Sequence, residues 1–172
     1  MRKGILLIVS FIFILGCSND NKNLEVKSIL VDLLKNTYSE QHWFVPTRTA
    51  LEGLTADQSN WKDSTDNHSI GELVSHLVFW NEINVRAFKG EDMTHFEVDN
   101  ETTFLINNET EWQNLARKLD SIQTEWEPLI LNATDEQLTE WSKEIANMQA
   151  HNAYHIGQIV YIRKRNGWWP KK

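Results

Sequence analysis

Cysteine, proline and glycine are scarce in this chain, and each shortage excludes a class of protein. Among 172 residues there are one Cys, three Pro and seven Gly. A single Cys excludes an internal disulfide, a thiolate zinc cluster and an iron–sulfur site. The low Gly and Pro content argues against an all-β fold and against a disordered chain.

Basic residues are also few relative to acidic ones. Lys and Arg number 17 against 24 Asp and Glu, so the formal net charge is −7. A nucleic-acid binder needs a basic face that replaces the counterions of the phosphates. We therefore expect no nucleic-acid partner for this chain.

The N-terminus has the layout of an export signal. Arg2 and Lys3 precede an apolar run of about 13 residues that ends before Cys17. Such a run is short for a bilayer span and suits the core of a signal peptide. We predict a signal peptide over residues 1–16. Its removal leaves 156 residues and takes away two basic side chains, so the formal charge becomes −9.

The lone cysteine stands directly after this segment. Residues 14–17, Ile-Leu-Gly-Cys, resemble a bacterial lipobox with Ile in the place where Leu is usual. We predict that Cys17 is lipidated, that residues 17–23 are a polar tether, and that residues 24–172 are the folded domain. The chain would then be extracytoplasmic and touch the membrane only through its anchor. The alternative is a plain signal peptide with a Cys at its end.

Apolar residues recur at three- and four-residue steps in four segments, the pattern of amphipathic helices. A Ser69–Glu72 capping box opens the second segment, and the fourth ends at Asn166–Gly167. A short helix is expected over 47–51, and short capped elements begin at Thr55 and Thr134. The four long helices are expected over residues 24–41, 69–89, 109–131 and 143–165. A long acidic connection at 90–108 is expected to lie over one end of the fold. Together they predict an antiparallel four-helix bundle.

Three of the six histidines fall on helix faces that should point inward. His151 and His155 lie four residues apart, so both project from one face of the last helix. His76 lies within the apolar arc predicted for the second long helix, whose other members are Leu73, Phe79, Trp80, Ile83 and Ala87. Buried histidines need a partner for each nitrogen, and one divalent metal would satisfy all three. The alternative is ordinary core histidines. The other three are expected at the surface, in loops or at helix ends: His42, His68 and His95.

Two motifs resemble a known family. Residues 68–80 resemble the first metal-ligand helix of the DinB/YfiT-like superfamily, and residues 151–159 resemble its last helix, His-x-x-x-His followed by Gly-Gln-Ile. The resemblance implies a four-helix bundle with one divalent metal, zinc or nickel, held by His76, His151 and His155. Members include thiol-dependent transferases and isomerases and proteins described as metal-dependent hydrolases. Export makes the thiol-dependent reaction the less expected one, because cofactor thiols are cytoplasmic.

We therefore hypothesise a metal-dependent hydrolase or transferase acting on an unknown small molecule, with the hydrolase preferred. Glu72 could serve as a base or orient a ligand, although its place in the capping box is the preferred explanation. Gln158 could bind substrate, hold a ligand or pack at the bundle end. The alternative is a non-catalytic, lipid-anchored binding or sensing protein that uses the acidic connection and the Trp168–Trp169 pair. Pairing of two copies as a homodimer is left open.

Overall fold

The computed structural model describes residues 17–105 and 108–170, with side chains from residue 21 onwards. This part of the chain is all helical and has no strand, which confirms the predicted fold class. Its helices are α1 (Cys17–Tyr38), α2 (Thr47–Leu51), α3 (Ala56–Asn60), α4 (Ile70–Phe88), α5 (Glu109–Leu131) and α6 (Asp135–Arg165). A short 3-10 helix, Asn100–Thr103, lies in the connection between α4 and α5.

The first helix begins earlier than expected. The predicted signal, residues 1–16, lies outside the described residues, but α1 already includes residues 17–23, so the expected tether is helical. These residues contain no Pro or Gly that would break a helix. Their polarity affects their exposure to solvent more than it affects the conformation of their backbone. No helix in the described ranges is both long enough and apolar enough to cross a bilayer.

Two pairs of neighbouring helices run antiparallel, as predicted. Between α1 and α5, the Nζ of Lys27 donates to the carbonyl of Leu131 at 3.0 Å, while Tyr38, eleven residues later, donates to Asp120. The α4–α6 pair runs the same way, because Asn81 of α4 contacts Asn152 of α6, while Phe88, seven residues later in α4, contacts Trp141, eleven residues earlier in α6.

The neighbouring pair α4 and α5 is instead parallel, which corrects the all-antiparallel expectation. Lys118 donates to Glu82 at 2.5 Å, and seven residues further along both helices Lys89 pairs with Glu125. The connection at 89–108 makes this arrangement accessible, since its length is sufficient to return along a helix of about 28 Å. The connection from α4 to α5 is therefore a long crossover that returns along the bundle.

The capping boxes expected at helix starts are present. In each box, the side chain of the first residue accepts from the backbone N–H of the second. The side chain of the second residue accepts in turn from the backbone N–H of the first, so two otherwise unpaired donors are satisfied. They are Thr55 with Gln58, Ser69 with Glu72, and Thr134 with Gln137.

The last helix is longer than predicted. α6 runs without a break from Asp135 to Arg165, so the Thr134 box opens the long helix itself and the expected start near residue 143 is wrong. No Pro or Gly interrupts 135–143, and Leu138 and Ile145 carry the buried stripe through this region. The helix ends at Asn166, with Gly167 at φ +73° as the left-handed residue that the sequence predicted.

The buried stripe of α4 is rotated from the arc that the spacing indicated. Four predicted members are only half-buried: Phe79, Trp80, Ile83 and Ala87. The core contacts come from Leu77, Asn81, Val85 and Phe88. Seven of the eleven residues from 70 to 80 are apolar and they fall on both sides of the helix, so periodicity could not separate the two faces. His76 remains buried in this arrangement, at 3% exposed.

A buried cation closes one end of the bundle. Arg163 is 3% exposed and donates to the carbonyls of Ala50 at 2.7 Å, Glu52 at 2.9 Å and Trp168 at 3.2 Å. Its guanidinium also lies 5.1 Å from the ring of Trp169. Arg163 thereby ties the end of α6 to the residues around α2. The Trp168–Trp169 pair is part of this closure.

Candidate metal centre

Helices α4 and α6 bring three histidines together. The Nε2 of His151 lies 3.0 Å from the Nε2 of His76 and 3.0 Å from the Nε2 of His155. His76 and His155 are buried, and His151 is half-buried. Facing antiparallel helices allow this meeting, because the i, i+4 pair on α6 projects from one face toward α4. The three predicted ligands therefore form one cluster that could hold a metal ion.

Thr103, from the 3-10 helix, determines which nitrogen of His76 carries the proton. Its Oγ1 donates to the carbonyl of Asn100 at 2.6 Å, so toward His76 it can only accept. The Nδ1 of His76 lies 2.6 Å from this oxygen and must be the donor. The Nε2 of His76 consequently carries a lone pair, which faces the other two rings.

Gln158 does the same for His155. Its amide oxygen, which only accepts, lies 2.6 Å from the Nδ1 of His155. The proton of His155 is therefore on Nδ1, and its Nε2 presents a second lone pair to the cluster. Neutral imidazoles that donate through one nitrogen and ligate through the other are the arrangement of protein metal sites.

All three rings are held neutral. The pKa of His76 is lowered to about 4, first by burial and then by the nearby rings of His155 and His151. Burial and the neighbouring His155 lower the pKa of His151 to about 4 as well. Burial also lowers the pKa of His155, against the raising effect of the Gln158 contact. Near neutral pH no proton competes with a cation for these nitrogens.

The spacing and chemistry of the donors fit a divalent transition metal. Ligands about 2.0–2.1 Å from zinc are about 3.3 Å apart at a tetrahedral angle and about 2.9 Å apart at a right angle. The observed 3.0 Å separations lie between these values. Imidazole nitrogen is a common ligand for zinc, nickel, copper and iron. The donor set therefore fits the expected class of metal without selecting zinc over nickel.

An aromatic stack supports the cluster from the connection between α4 and α5. The ring of Phe104 lies parallel to that of His76, with centroids 4.2 Å apart, and His68 stacks on the other side of Phe104 at 3.7 Å. The connection was expected to lie over one end of the fold. It instead supplies Thr103 and Phe104 to the centre, and His68, expected at the surface, is half-buried in the stack.

The cluster borders an open cleft of about 470 Å³, which we call the metal cleft. Its lining includes three amide side chains and one carboxylate that the sequence analysis did not single out: Asn84, Asn100, Asn147 and Glu144. Glu144 is seven residues before His151, two helical turns away on the same face of α6. That spacing was a readable signal for Glu144, whereas nothing in the local sequence indicated Asn100.

The two predicted catalytic residues lie in different surroundings. Gln158 contacts His155, as described. The carboxylate of Glu72 is 3.1 Å from the Nζ of Lys62 and accepts from the backbone N–H of Ser69 at 2.7 Å. Burial alone would raise the pKa of Glu72, but the Ser69 and Lys62 contacts outweigh it and the pKa is lowered. Glu72 thus occupies its capping position, and its catalytic role stays a prediction.

Comparison with known proteins gives the family. The family model described as the DinB superfamily matches residues 44–159, about two thirds of the chain, and this range includes all three clustered histidines. A search of curated proteins and a search of solved structures each found no match. The helical bundle agrees with the family match. The chain therefore belongs to the DinB superfamily.

Proposed function

We propose that this chain is a metal-dependent hydrolase whose ion, zinc or nickel, is held by His76, His151 and His155. One observation carries the proposal: the tautomers of His76 and His155 direct two Nε2 lone pairs at the Nε2 of His151, at the edge of an open cleft. Three neutral ligands leave coordination positions free, which is typical of catalytic more than of structural sites. A divalent ion held there would supply Lewis-acid activation to an electrophilic substrate.

The metal cleft provides groups that would bind and orient such a substrate. Trp80 and Phe104 offer flat apolar surface, and Trp80 is fixed by donating its Nε1–H to Asn100 at 3.3 Å. The amides of Asn84 and Asn147 can donate to and accept from polar substrate groups. We infer a small molecule with both an apolar and a hydrogen-bonding part.

A hydrolase also needs a proton acceptor near the reacting bond. We propose Glu144 for this role, because it is the carboxylate that lines the metal cleft. Glu72 is the earlier prediction, but its carboxylate is engaged by Ser69 and Lys62. The roles of Glu144 and Glu72 can be distinguished by substituting Gln for each, since Gln removes the negative charge and keeps the shape.

The test is hydrolysis of a panel of ester, amide and phosphoester substrates by the zinc- and nickel-loaded protein. We expect Glu144→Gln to lower kcat by roughly 100-fold or more, the scale of a lost acid–base group, and Glu72→Gln to act mainly on stability. His42→Ala, an exposed histidine, is the matched control. Inactivity toward the whole panel, with and without added thiols, would favour the non-catalytic binding alternative.

We also propose that the mature chain is anchored outside the cytoplasm through a lipid on Cys17. The support is the lipobox-like sequence at 14–17 and the absence of any other Cys in the chain. Metabolic labelling with a fatty-acid probe tests this. Label should appear on the wild-type chain and vanish in Cys17→Ala; label that persists in the variant refutes the assignment.

A further inference from the structure

A second cavity, of about 600 Å³, lies behind the metal centre, and we call it the side cavity. It shares no lining residue with the metal cleft. Gln158 forms part of the partition, because it lines the side cavity while its amide oxygen contacts the Nδ1 of His155. His68 also lines the side cavity and stacks on Phe104, which lines the metal cleft. The two spaces are neighbours separated by one layer of side chains.

Most of the side-chain groups at the side cavity that could still form a hydrogen bond are donors. Lys62 contacts only the Glu72 carboxylate, and Arg165 contacts Asp63 through Nη1 alone, so both retain N–H groups without a partner among the described residues. The amide N–H groups of Gln158 likewise have no partner within the described ranges. Such donors call for an acceptor-rich ligand.

The carboxylates at the side cavity compete little for those donors. Both oxygens of Asp63 are occupied, one by Arg165 at 2.7 Å and the other by Thr65. Asp66 also lines the cavity, but its side chain is exposed, where solvent and salt screen its charge. A ligand carboxylate could therefore meet Lys62 and Arg165 without displacing an existing ion pair.

Aromatic side chains line the rest of the side cavity. Trp61 is fixed by an edge contact to Trp168, with ring centroids 5.7 Å apart. Tyr154 and Tyr161 lie at the mouth, each about 65% exposed, and Leu73 contributes apolar surface. Exposed aromatic faces around a concavity are suited to flat apolar groups. The ligand should therefore carry an aromatic body as well as an acidic group.

A glycine keeps the space open. Gly157 lies within α6, where Gly is about 1 kcal/mol less favourable than Ala, and it lines the side cavity. A Cβ built at this position would meet no atom within 4 Å. A larger residue at 157 would thus be tolerated by the fold and would project into the cavity.

We propose that the side cavity is a binding site for an organic acid with an aromatic body. The carboxylate would accept from Lys62, Arg165 and Gln158, and the ring would lie against Trp61 and Tyr154. The proposal does not depend on metal binding, since none of these groups belongs to the three-histidine cluster.

Phenylacetate is a suitable probe, with uncharged phenylacetamide as its matched control. By isothermal titration we expect phenylacetate to bind the protein with a dissociation constant of about 1 mM or tighter, and phenylacetamide about tenfold more weakly. Gly157→Phe should abolish binding by filling the cavity. Ala150→Phe adds the same bulk at an exposed position on the same helix and should leave binding unchanged.

Arg165→Gln supplies a second variant that keeps the cavity empty. It should weaken phenylacetate binding about tenfold and leave phenylacetamide binding unchanged, because only the acid uses the charge. Two results overturn the proposal: no heat of binding with phenylacetate at several millimolar, or equal binding by the wild-type and Gly157→Phe proteins. The second would place the probe elsewhere, for example at the metal centre, and would leave the hydrolase proposal intact.

Discussion

The Oγ1 of Thr103 lies 2.6 Å from the Nδ1 of His76, and because this hydroxyl donates to the carbonyl of Asn100, it can only accept from the ring. A residue in the connection between α4 and α5 therefore fixes the tautomer of a candidate metal ligand on α4. Thr103 is 2% exposed, so water cannot readily replace its oxygen. Metal affinity should depend on this hydroxyl even though Thr103 is not itself a ligand.

Thr103→Val should weaken metal binding by roughly 10- to 100-fold, because the Nδ1–H of His76 loses its acceptor and the ring loses its fixed orientation. Thr103→Ser keeps the hydroxyl and should stay within about threefold of the wild type. Competition with a chelator of known affinity measures both. Equal affinity in the Val and Ser variants would show that the hydroxyl does not position His76.

Gln158 can be tested with a pair of variants that differ in one property. Gln158→Leu removes the acceptor for His155 and should weaken metal binding by roughly 10-fold or more, whereas Gln158→Glu retains an acceptor and should bind at least as tightly. The d–d absorption spectrum of the cobalt-substituted protein gives an independent readout of ligand geometry. A Leu variant with unchanged affinity and spectrum contradicts the positioning role.

Unfolding of the metal-free protein should depend on pH in a defined window. The native pKa values of His76 and His151 are about 4, and that of His155 is also lowered from the ordinary value of 6.5. Between about pH 6.5 and 4 the unfolded chain therefore binds more protons than the native one. Stability should fall as pH is lowered through this window and should lose its histidine contribution to the slope below about pH 4.

Urea denaturation at a series of pH values checks this dependence. Replacing His151 and His155 together by Gln should flatten the slope between pH 6.5 and 4, while His42→Ala should leave it unchanged, because His42 lies outside the cluster. A wild-type protein whose stability is flat across the window would mean that the three rings are not held neutral in the fold.

Arg163 gives a prediction about the stability of the fold that is independent of metal binding. Arg163→Met keeps much of the volume but leaves the carbonyls of Ala50 and Glu52 without their donor. The free energy of unfolding should fall by about 3 kcal/mol, the scale for unsatisfied buried groups that had a charged partner. Thermal and urea unfolding measure the loss. Arg165→Gln, at an exposed position on the same helix, should cost under about 1 kcal/mol.

The residues that sequence reasoning placed correctly have regular spacing along one helix. His151 and His155 are four apart, the Ser69–Glu72 box has its fixed offset, and Gly167 stands where a helix must stop. Such features depend on helix geometry, which the chain carries locally. His76 was reached through the same periodicity, although the buried stripe around it is rotated from the predicted arc.

The features that were missed depend on the path of an irregular segment. Thr103 and Phe104 come from a connection without periodicity, and only the folded bundle places them against His76. The parallel course of α4 and α5 follows from the same long connection. Glu144 is different, since its seven-residue offset from His151 was present in the sequence and could have been used.

The central claim is that His76, His151 and His155 hold one divalent metal ion. The most direct measurement is the metal content of the protein, purified without a metal-binding tag and analysed by mass spectrometry. The account predicts about one equivalent of zinc or nickel, absent from the His151→Ala, His155→Ala double variant and retained in His42→Ala. Less than about a tenth of an equivalent after incubation with either metal, or equal content in the double variant, would contradict it.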